Sequence, residues 1–413
     1  TMGKAEKIPE GYRVTEAGIL PVDWQVKRLS EVATELTERA GQDKYETVSI
    51  SAGIGFVNQA EKFGKELSGK QYEKYIVLHQ GDFSYNKGNS KTFPQGCIYR
   101  LNDRETAAVP NVFESFRIED QDADYYEQLF LTGFLNKQLY SKINRGVRDD
   151  GLLNLTGKDF YSCMVPVPPI AEQKKIAEIL AYCDKVIELK QHLIEEEKKK
   201  NQWLLEFAYK LSGEQYTKIS LKNCGKWFSG GTPDKRNNEY WNHGTIKWVS
   251  SQEVKGTHIQ ETTYKITHKA IEESTTAIAP AYSLLLVTRS GILTHSIPVA
   301  YISEDMAINQ DIKALIPKER IDYYYLLSYL KYKEKELVSM YVKTGSTVES
   351  IIMNLFLKLE VPFPSYEEQI RISNVIRCND KKLQALAEEV ECWKEKKKAL
   401  MQFLLTGTVR VKI

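Results

Sequence analysis

No apolar run in the sequence is long enough to cross a bilayer, and the start, TMGKAEKIPEGY, has no apolar leader, so neither a membrane-spanning nor a secreted chain is expected. The six cysteines (Cys97, Cys163, Cys183, Cys224, Cys378 and Cys392) are scattered, with no Cys-x-x-Cys pair. That spacing does not suit a zinc site and fits a reduced, cytoplasmic compartment. Neither sign of charge is in excess: 57 Lys and Arg face 55 Asp and Glu, a formal net charge of +2. A uniformly basic polyanion binder is thereby disfavoured, although acidic helix surface such as Glu195-Glu196-Glu197 can offset a basic face elsewhere.

The marks of catalysis are also missing. Gly-x-Gly-x-x-Gly, His-Glu-x-x-His and Gly-x-Ser-x-Gly do not occur, nor does an Asn-Pro-Pro-aromatic sequence of base-modifying amino-methyltransferases. Gly64 to Lys70 has the glycine and lysine spacing of a phosphate loop, but Gln71 stands where a magnesium-binding hydroxyl is needed, which favours a basic surface loop. Pro233-Asp234 is not followed by an acidic-x-Lys pair of a nuclease, and the six histidines are dispersed. No catalytic and no metal-ligating residue is assigned.

What the chain does have is size, an ordinary core content and a repeat. At 413 residues, with 42% hydrophobic and 27% charged residues, it calls for two or more soluble domains. Its 24 tyrosines suit surfaces that combine stacking with hydrogen bonding. The stretch Val165–Phe207 returns without a gap at Val361–Phe403, an offset of 196 residues (361 minus 165), with thirteen identities. They include Glu172/Glu368, Gln173/Gln369, Asp184/Asp380 and Leu204/Leu400. Prolines open both copies, as they do at helix entries, and Ser365 with Glu368 reads as a capping box. In the second copy Ile372, Ile376, Leu383, Leu386, Val390, Trp393, Leu400 and Leu404, with Asn379 and Lys397 among them, recur in steps of three and four, the seam of a helix that needs a partner. The matching stripe of the first copy, Ile176, Leu180, Ile187, Ile194 and Leu204, is broken by Lys190, Glu197 and Asn201 and widened by Ile179, Val186, Leu189 and Leu193. Each helix would run about 60 Å at 1.5 Å per residue, and each is the natural partner of the other.

Short alternating segments occupy the remainder. Ser49–Ser51, Tyr75–Leu78, Phe83–Tyr85, Gly96–Leu101 and Phe113–Ile118 read as strands, and 124–143 has helical spacing. Ser283–Val287, Ile312–Ile316, Asp322–Leu327 and Lys343–Ser346 parallel elements of the first half, with Asp322 set against Asp124. The expected organisation is therefore α+β: an N-terminal arm (1–23), a first mixed α/β domain (24–164), a central helix (165–213), a second domain (214–360) and a C-terminal helix (361–413). The two helices form an antiparallel intramolecular coiled coil, and the whole is a pseudo-twofold internal repeat.

These features resemble the specificity subunit of type I restriction–modification enzymes. The resemblance is carried by the twin Pro-x-x-x-Glu-Gln helix starts (Pro168 to Gln173, Pro364 to Gln369), by Leu20-Pro21-Val22-Asp23-Trp24, by Phe228 to Pro233 with Tyr240-Trp241, and by Leu404-Leu405-Thr406-Gly407. It covers nearly the whole chain. It implies a non-catalytic reader of double-stranded DNA whose two target recognition domains each read half of a split site, with the helices setting the spacer. It also implies two docked modification subunits that bind S-adenosylmethionine and methylate adenine, and an optional pair of ATP- and Mg2+-dependent restriction subunits. No cofactor would belong to this chain itself. A coiled-coil adaptor carrying two protein-binding domains is the alternative.

DNA reading needs loops with donors and acceptors for base edges and cations for phosphates. The candidates in the first domain are Tyr85, Asn86, Lys87, Asn89 and Lys91, with Arg145 and Arg148. Those in the second are Gly230, Gly231, Thr232, Lys235 and Arg236, then Arg289 and Ser290, then Lys343, Thr344 and Ser346. Lys198-Lys199-Lys200 and Lys396-Lys397-Lys398 read as solvated helix faces.

Overall fold

The computed structural model describes residues 8–64, 69–88, 92–143, 153–211, 216–343 and 348–413. The chain divides into two compact units, Thr1–Leu189 with Glu389–Ile413, and Lys190–Glu388. The division falls inside both long helices, so each unit holds the beginning of one and the end of the other.

In the first unit the central sheet is antiparallel, in the order Ala33–Glu35, Glu114–Ile118, Phe83–Asn86, Cys97–Arg100. Alternation along these strands turns Phe83, Tyr85 and Phe116 inward. Phe83 stacks on Phe116 at 5.4 Å, and Phe130 meets both rings edge-on. The stretch with helical spacing forms two helices, Ala123–Leu131 and Asn136–Lys142. Gly133, at a φ of +73°, makes the break, a conformation a residue with a Cβ resists. The segment expected as an arm carries a hairpin, Tyr12–Thr15 with Gly18–Pro21, whose Leu20 enters the core beside Trp24.

The second unit uses the same strand order: Gly225–Ser229, Ile312–Pro317, Leu284–Val287, Val299–Ile302, with His258–Ile259 added at the edge. A further sheet places Ile246–Val249 between Tyr264–Ile266 and Met306–Ile308. Its helix Tyr323–Tyr332 is capped by Asp322, whose carboxylate accepts from Tyr325 N, as Asp122 accepts from Tyr125 N in the first unit. The caps thus set Asp322 against Asp122, which corrects the pairing with Asp124.

Both long helices, Ile170–Glu206 and Tyr366–Leu404, follow a strand that contains the first of the entry prolines, Pro166 in Met164–Val167 and Pro362 in Glu360–Phe363. The repeated glutamine explains why this entry is specified. Gln173 is buried; its Oε1 accepts from Asp122 N at 3.0 Å and its Nε2 donates to Pro168 O at 2.8 Å. Gln369 likewise accepts from Asp322 N at 3.0 Å and donates to Pro364 O at 3.1 Å. Each amide ties the helix start to the cap of the preceding domain helix, with its own polar atoms satisfied. Only half of the expected capping box forms: Ser365 Oγ accepts from Glu368 N, but the Glu368 carboxylate pairs with Arg371.

None of the seam residues is exposed. In the first unit Ile176, Leu180 and Leu404 lie in the core, with Leu400 packed against it, and Lys397 bridges both Asp184 oxygens at 2.7 Å. In the second unit Ile376 is in the core, Glu197 pairs with Lys382, and Asn201 Nδ2 donates to Asp380 Oδ1 at 3.3 Å. Glu197 and Asn201, polar breaks in the stripe, therefore have partners on the other helix. Leu189 and Leu193 do not widen the stripe as expected, because both are about half exposed.

Candidate nucleic-acid interface

In the second unit the three predicted loops are brought together by backbone contacts. The strand Gly225–Ser229 runs into Gly230-Gly231, and Gly231 N donates to Ile308 O. A Cβ on Gly230 would stand 1.9 Å from Ile308 O, and one on Gly231 2.2 Å from Thr275 Oγ1. These glycines allow the close chain packing that places the next residues. Thr232 Oγ1 donates to Gln310 Oε1 at 2.6 Å, and Ser229 Oγ donates to the Gln310 and Ile312 carbonyls. Next to Gln310, Asp311 O accepts from Thr288 N and Oγ1. Arg289 forms an isolated bridge with Ser350, and Lys343 pairs with Ser350 in a short two-stranded sheet. Ser290 N donates to Glu349 O.

The outcome is one connected strip carrying Lys235, Arg236, Thr232, Gln310, Arg289 and Lys343. Lys235, Arg236, Gln310, Arg289 and Lys343 are exposed. Arg236 folds back on Asp234, whose carboxyl its guanidinium holds below the ordinary carboxylate range. Gln310 was not anticipated. It lies in the polar turn Asn309-Gln310-Asp311 after a buried strand, and its hydrogen bonds with Thr232 and Ser229 reveal it as part of the strip. Thr344 and Ser346 lie outside the described residues.

The first unit differs. Tyr85, expected in a recognition loop, is fully buried and stacks on Phe160 at 4.6 Å, while its hydroxyl donates to Gln95 O. Burial raises its pKa well beyond that of a free phenol. Lys87 points inward to Glu114 at 2.6 Å, both side chains largely covered. Asn86 Oδ1 accepts from Gly88 N and its Nδ2 donates to Ile50 O, which shapes the turn. These three side chains are corrected from base-reading groups to framework: the short alternating strand puts Tyr85 on its core face, and the ion pair draws Lys87 off the surface. Asn89, Lys91, Arg145 and Arg148 lie outside the described residues. Leu153 N donates to Lys87 O, the counterpart of Ile351 N donating to Thr288 O. The two units thus close these loops by the same backbone contact.

Among the described residues no cluster of His, Cys, Asp and Glu could hold a metal ion, and no helix is long and apolar enough to cross a membrane.

A sequence model described as the type I restriction modification DNA specificity domain matches residues 21–198 and again 213–391. The chain belongs to that family. It is 32% identical over 220 residues to the EcoR124I/EcoR124II specificity subunit of Escherichia coli, a match covering 51% of this chain and 54% of that protein. The chain thus spans about half the length of that relative. A putative MjaX specificity subunit of Methanocaldococcus jannaschii is 21% identical, over 98% of this chain and 97% of the relative. Among solved structures, the S subunit of a type I restriction–modification system from M. genitalium has a TM-score of 0.58 at 14% identity, covering 94% and 96% of the two chains. A chain from a structure of a type I R-M system, solved for its complex assembly and conformational transition, has a TM-score of 0.56 at 17% identity, covering 94% and 99%. These two likenesses concern the fold.

Proposed function

We propose that this chain is the DNA-sequence-reading subunit of a type I restriction–modification assembly, with each unit reading one half of a split, asymmetric site. The observation that carries this reading is the double match to the specificity domain, one match on each copy of the repeat. The connected strip of cations, hydroxyls and an amide in the second unit supplies the chemistry, since phosphates take Lys and Arg while base edges take Gln, Thr and Arg.

The two long helices form an antiparallel coiled coil about which the copies are related by a pseudo-twofold. In support, the residue numbers of Asp184 and Lys397 add to the same total as those of Asn201 and Asp380, so a single antiparallel register fits both contacts. The pair sets the number of unread bases and offers the same docking surface twice to two modification subunits. Phe207 and Phe403, equivalent under the 196-residue offset and both about half exposed, are apolar anchors suited to such docking. S-adenosylmethionine, ATP and Mg2+ belong to the partner subunits, including a pair of restriction subunits where present, and the assembly works in the cytoplasm.

Methylome sequencing of cells with and without this chain tests the reading. A bipartite adenine-methylated motif that disappears with the chain is expected. An unchanged methylome, with the partner subunits expressed, would instead leave the two-headed adaptor as the better description.

A further inference from the structure

Beside the Gly230–Arg236 loop the second unit has an aromatic box that the loop-based reading does not use. Trp248 and Tyr264 are cross-strand partners, so both rings stand on the same face of their sheet. Trp241, at the end of the short helix Asn238–Trp241, closes the third side. The ring centroids lie 5.3 Å apart for Trp241–Trp248, 6.0 Å for Trp241–Tyr264 and 6.5 Å for Trp248–Tyr264, with interplanar angles of 87°, 80° and 71°. They enclose, with Lys235, a cavity of about 250 Å3.

Both indole N–H groups are already committed to the loop: Trp241 Nε1 donates to Asp234 O at 3.1 Å and Trp248 Nε1 to Gly231 O at 3.2 Å. The walls therefore offer π faces and ring edges. Lys235 has no ion-pair partner among the described residues and supplies a positive charge at the lining. A cationic guest such as a methylated ammonium suits aromatic walls but is repelled by Lys235. A flat neutral ring bearing an adjacent anion satisfies both features, and a nucleotide is such a ligand. The volume lies just under the ~300–1,000 Å3 of drug-sized pockets, which fits one ring system.

We infer that the box formed by Trp241, Trp248 and Tyr264 takes up one unstacked nucleobase of the bound DNA, with Lys235 on its phosphate. This rests on the DNA-reading function proposed above. Because the indole donors are spent, the box selects for a base that has left the stack and not for its identity; sequence is read by the neighbouring Thr232–Gln310 and Arg289 part of the strip.

The test uses the full chain assembled with its modification subunits and two duplexes of one sequence, one fully paired and the other with a single unpaired nucleotide, titrated at fixed salt. The bulged duplex is expected to bind roughly tenfold more tightly, the order set by one base–aromatic stack. That ratio should fall to about one in Tyr264→Ala and persist in Tyr264→Phe, which keeps the ring; Lys235→Gln should lower it. Tyr264 is more than half exposed, so its replacement leaves the core untouched. Equal affinity for the two duplexes, a ratio retained by Tyr264→Ala, or tryptophan quenching by choline in place of the bulged duplex would overturn the inference. Failure of both duplexes to bind would instead remove the DNA-reading function and the inference together.

Discussion

Arg289 and Gln369 represent the two jobs that single residues do in this fold. Arg289 is exposed, has no ion-pair partner among the described residues and stands in the connected strip. Its replacement by alanine should weaken DNA binding without disturbing assembly. If it contacts phosphate, the slope of log affinity against log salt falls by about one; if it reads guanine, discrimination falls by about 1–3 kcal/mol. An unchanged isotherm and slope would take it off the interface. Gln369 is buried and satisfies three backbone groups, those of Asp322, Pro364 and Arg320. Gln369→Ala strands them, and a loss of about 2 kcal/mol is expected in urea unfolding; a wild-type midpoint would show that water replaces the amide freely. In the sequence Gln369 was visible as one half of a repeated pair, but its partners were not, because they lie 47 and 49 residues away at the cap of another helix. Lys87 failed in the opposite sense. A lysine flanked by asparagines reads as a surface loop, and only the approach of Glu114 from the next strand turns it inward.

At the scale of elements, periodicity was the reliable signal. The heptad positions from Ile176 to Leu404 are covered, and most expected strands lie within a residue or two of where alternation put them. What periodicity could not give was the destination of the C-terminal tail. Gly407, at a φ of +68°, lets the chain turn against Pro21 and Trp24, where a Cβ would come within 2.5 Å of Pro21. Arg410 then reaches the buried Glu172 at 2.7 and 2.8 Å and Asp23 at 2.8 Å, while the Trp24 indole N–H donates to Glu172. This tail belongs to the core of the first unit, which explains why Leu-Pro-Val-Asp-Trp near one end and Leu-Thr-Gly near the other are both informative. Arg410→Ala leaves a buried carboxylate with its indole donor alone. The expected loss is about 2–3 kcal/mol at neutral pH, below the full value of a broken buried pair because Arg410 is partly solvated. The Arg410 guanidinium holds the Asp23 carboxyl below its usual value. A depressed carboxylate stabilises the fold above its unfolded value, about 3.9, and that share disappears as pH falls through the folded value. The difference between wild type and Arg410→Ala should therefore narrow below about pH 4; a gap that widened in acid would refute the ion-pair account.

For the whole molecule the decisive property is length. If the helix pair is the ruler between two reading heads, removing one turn-matched segment from each helix must bring the half-sites closer without changing what either head reads. Seven residues are two turns of a helix and about 10 Å, or about three base-pair steps at 3.4 Å each. In the proposed antiparallel register, which fits the Asp184–Lys397 and Asn201–Asp380 contacts, residues 190–196 would stand opposite 385–391. Deleting both segments keeps the seam in phase, because the apolar stripe repeats every seven residues. It also leaves every residue of the Thr232–Gln310–Arg289 strip in place. The shortened chain should direct methylation to the same two half-site sequences with a gap reduced by about three base pairs. Deleting four residues from each helix instead rotates the stripe out of phase, so that variant should lose stability as well as activity. Methylome sequencing distinguishes the cases. A seven-residue deletion that stays folded and methylates at the original gap would show that the heads find their separation by some means other than the helices.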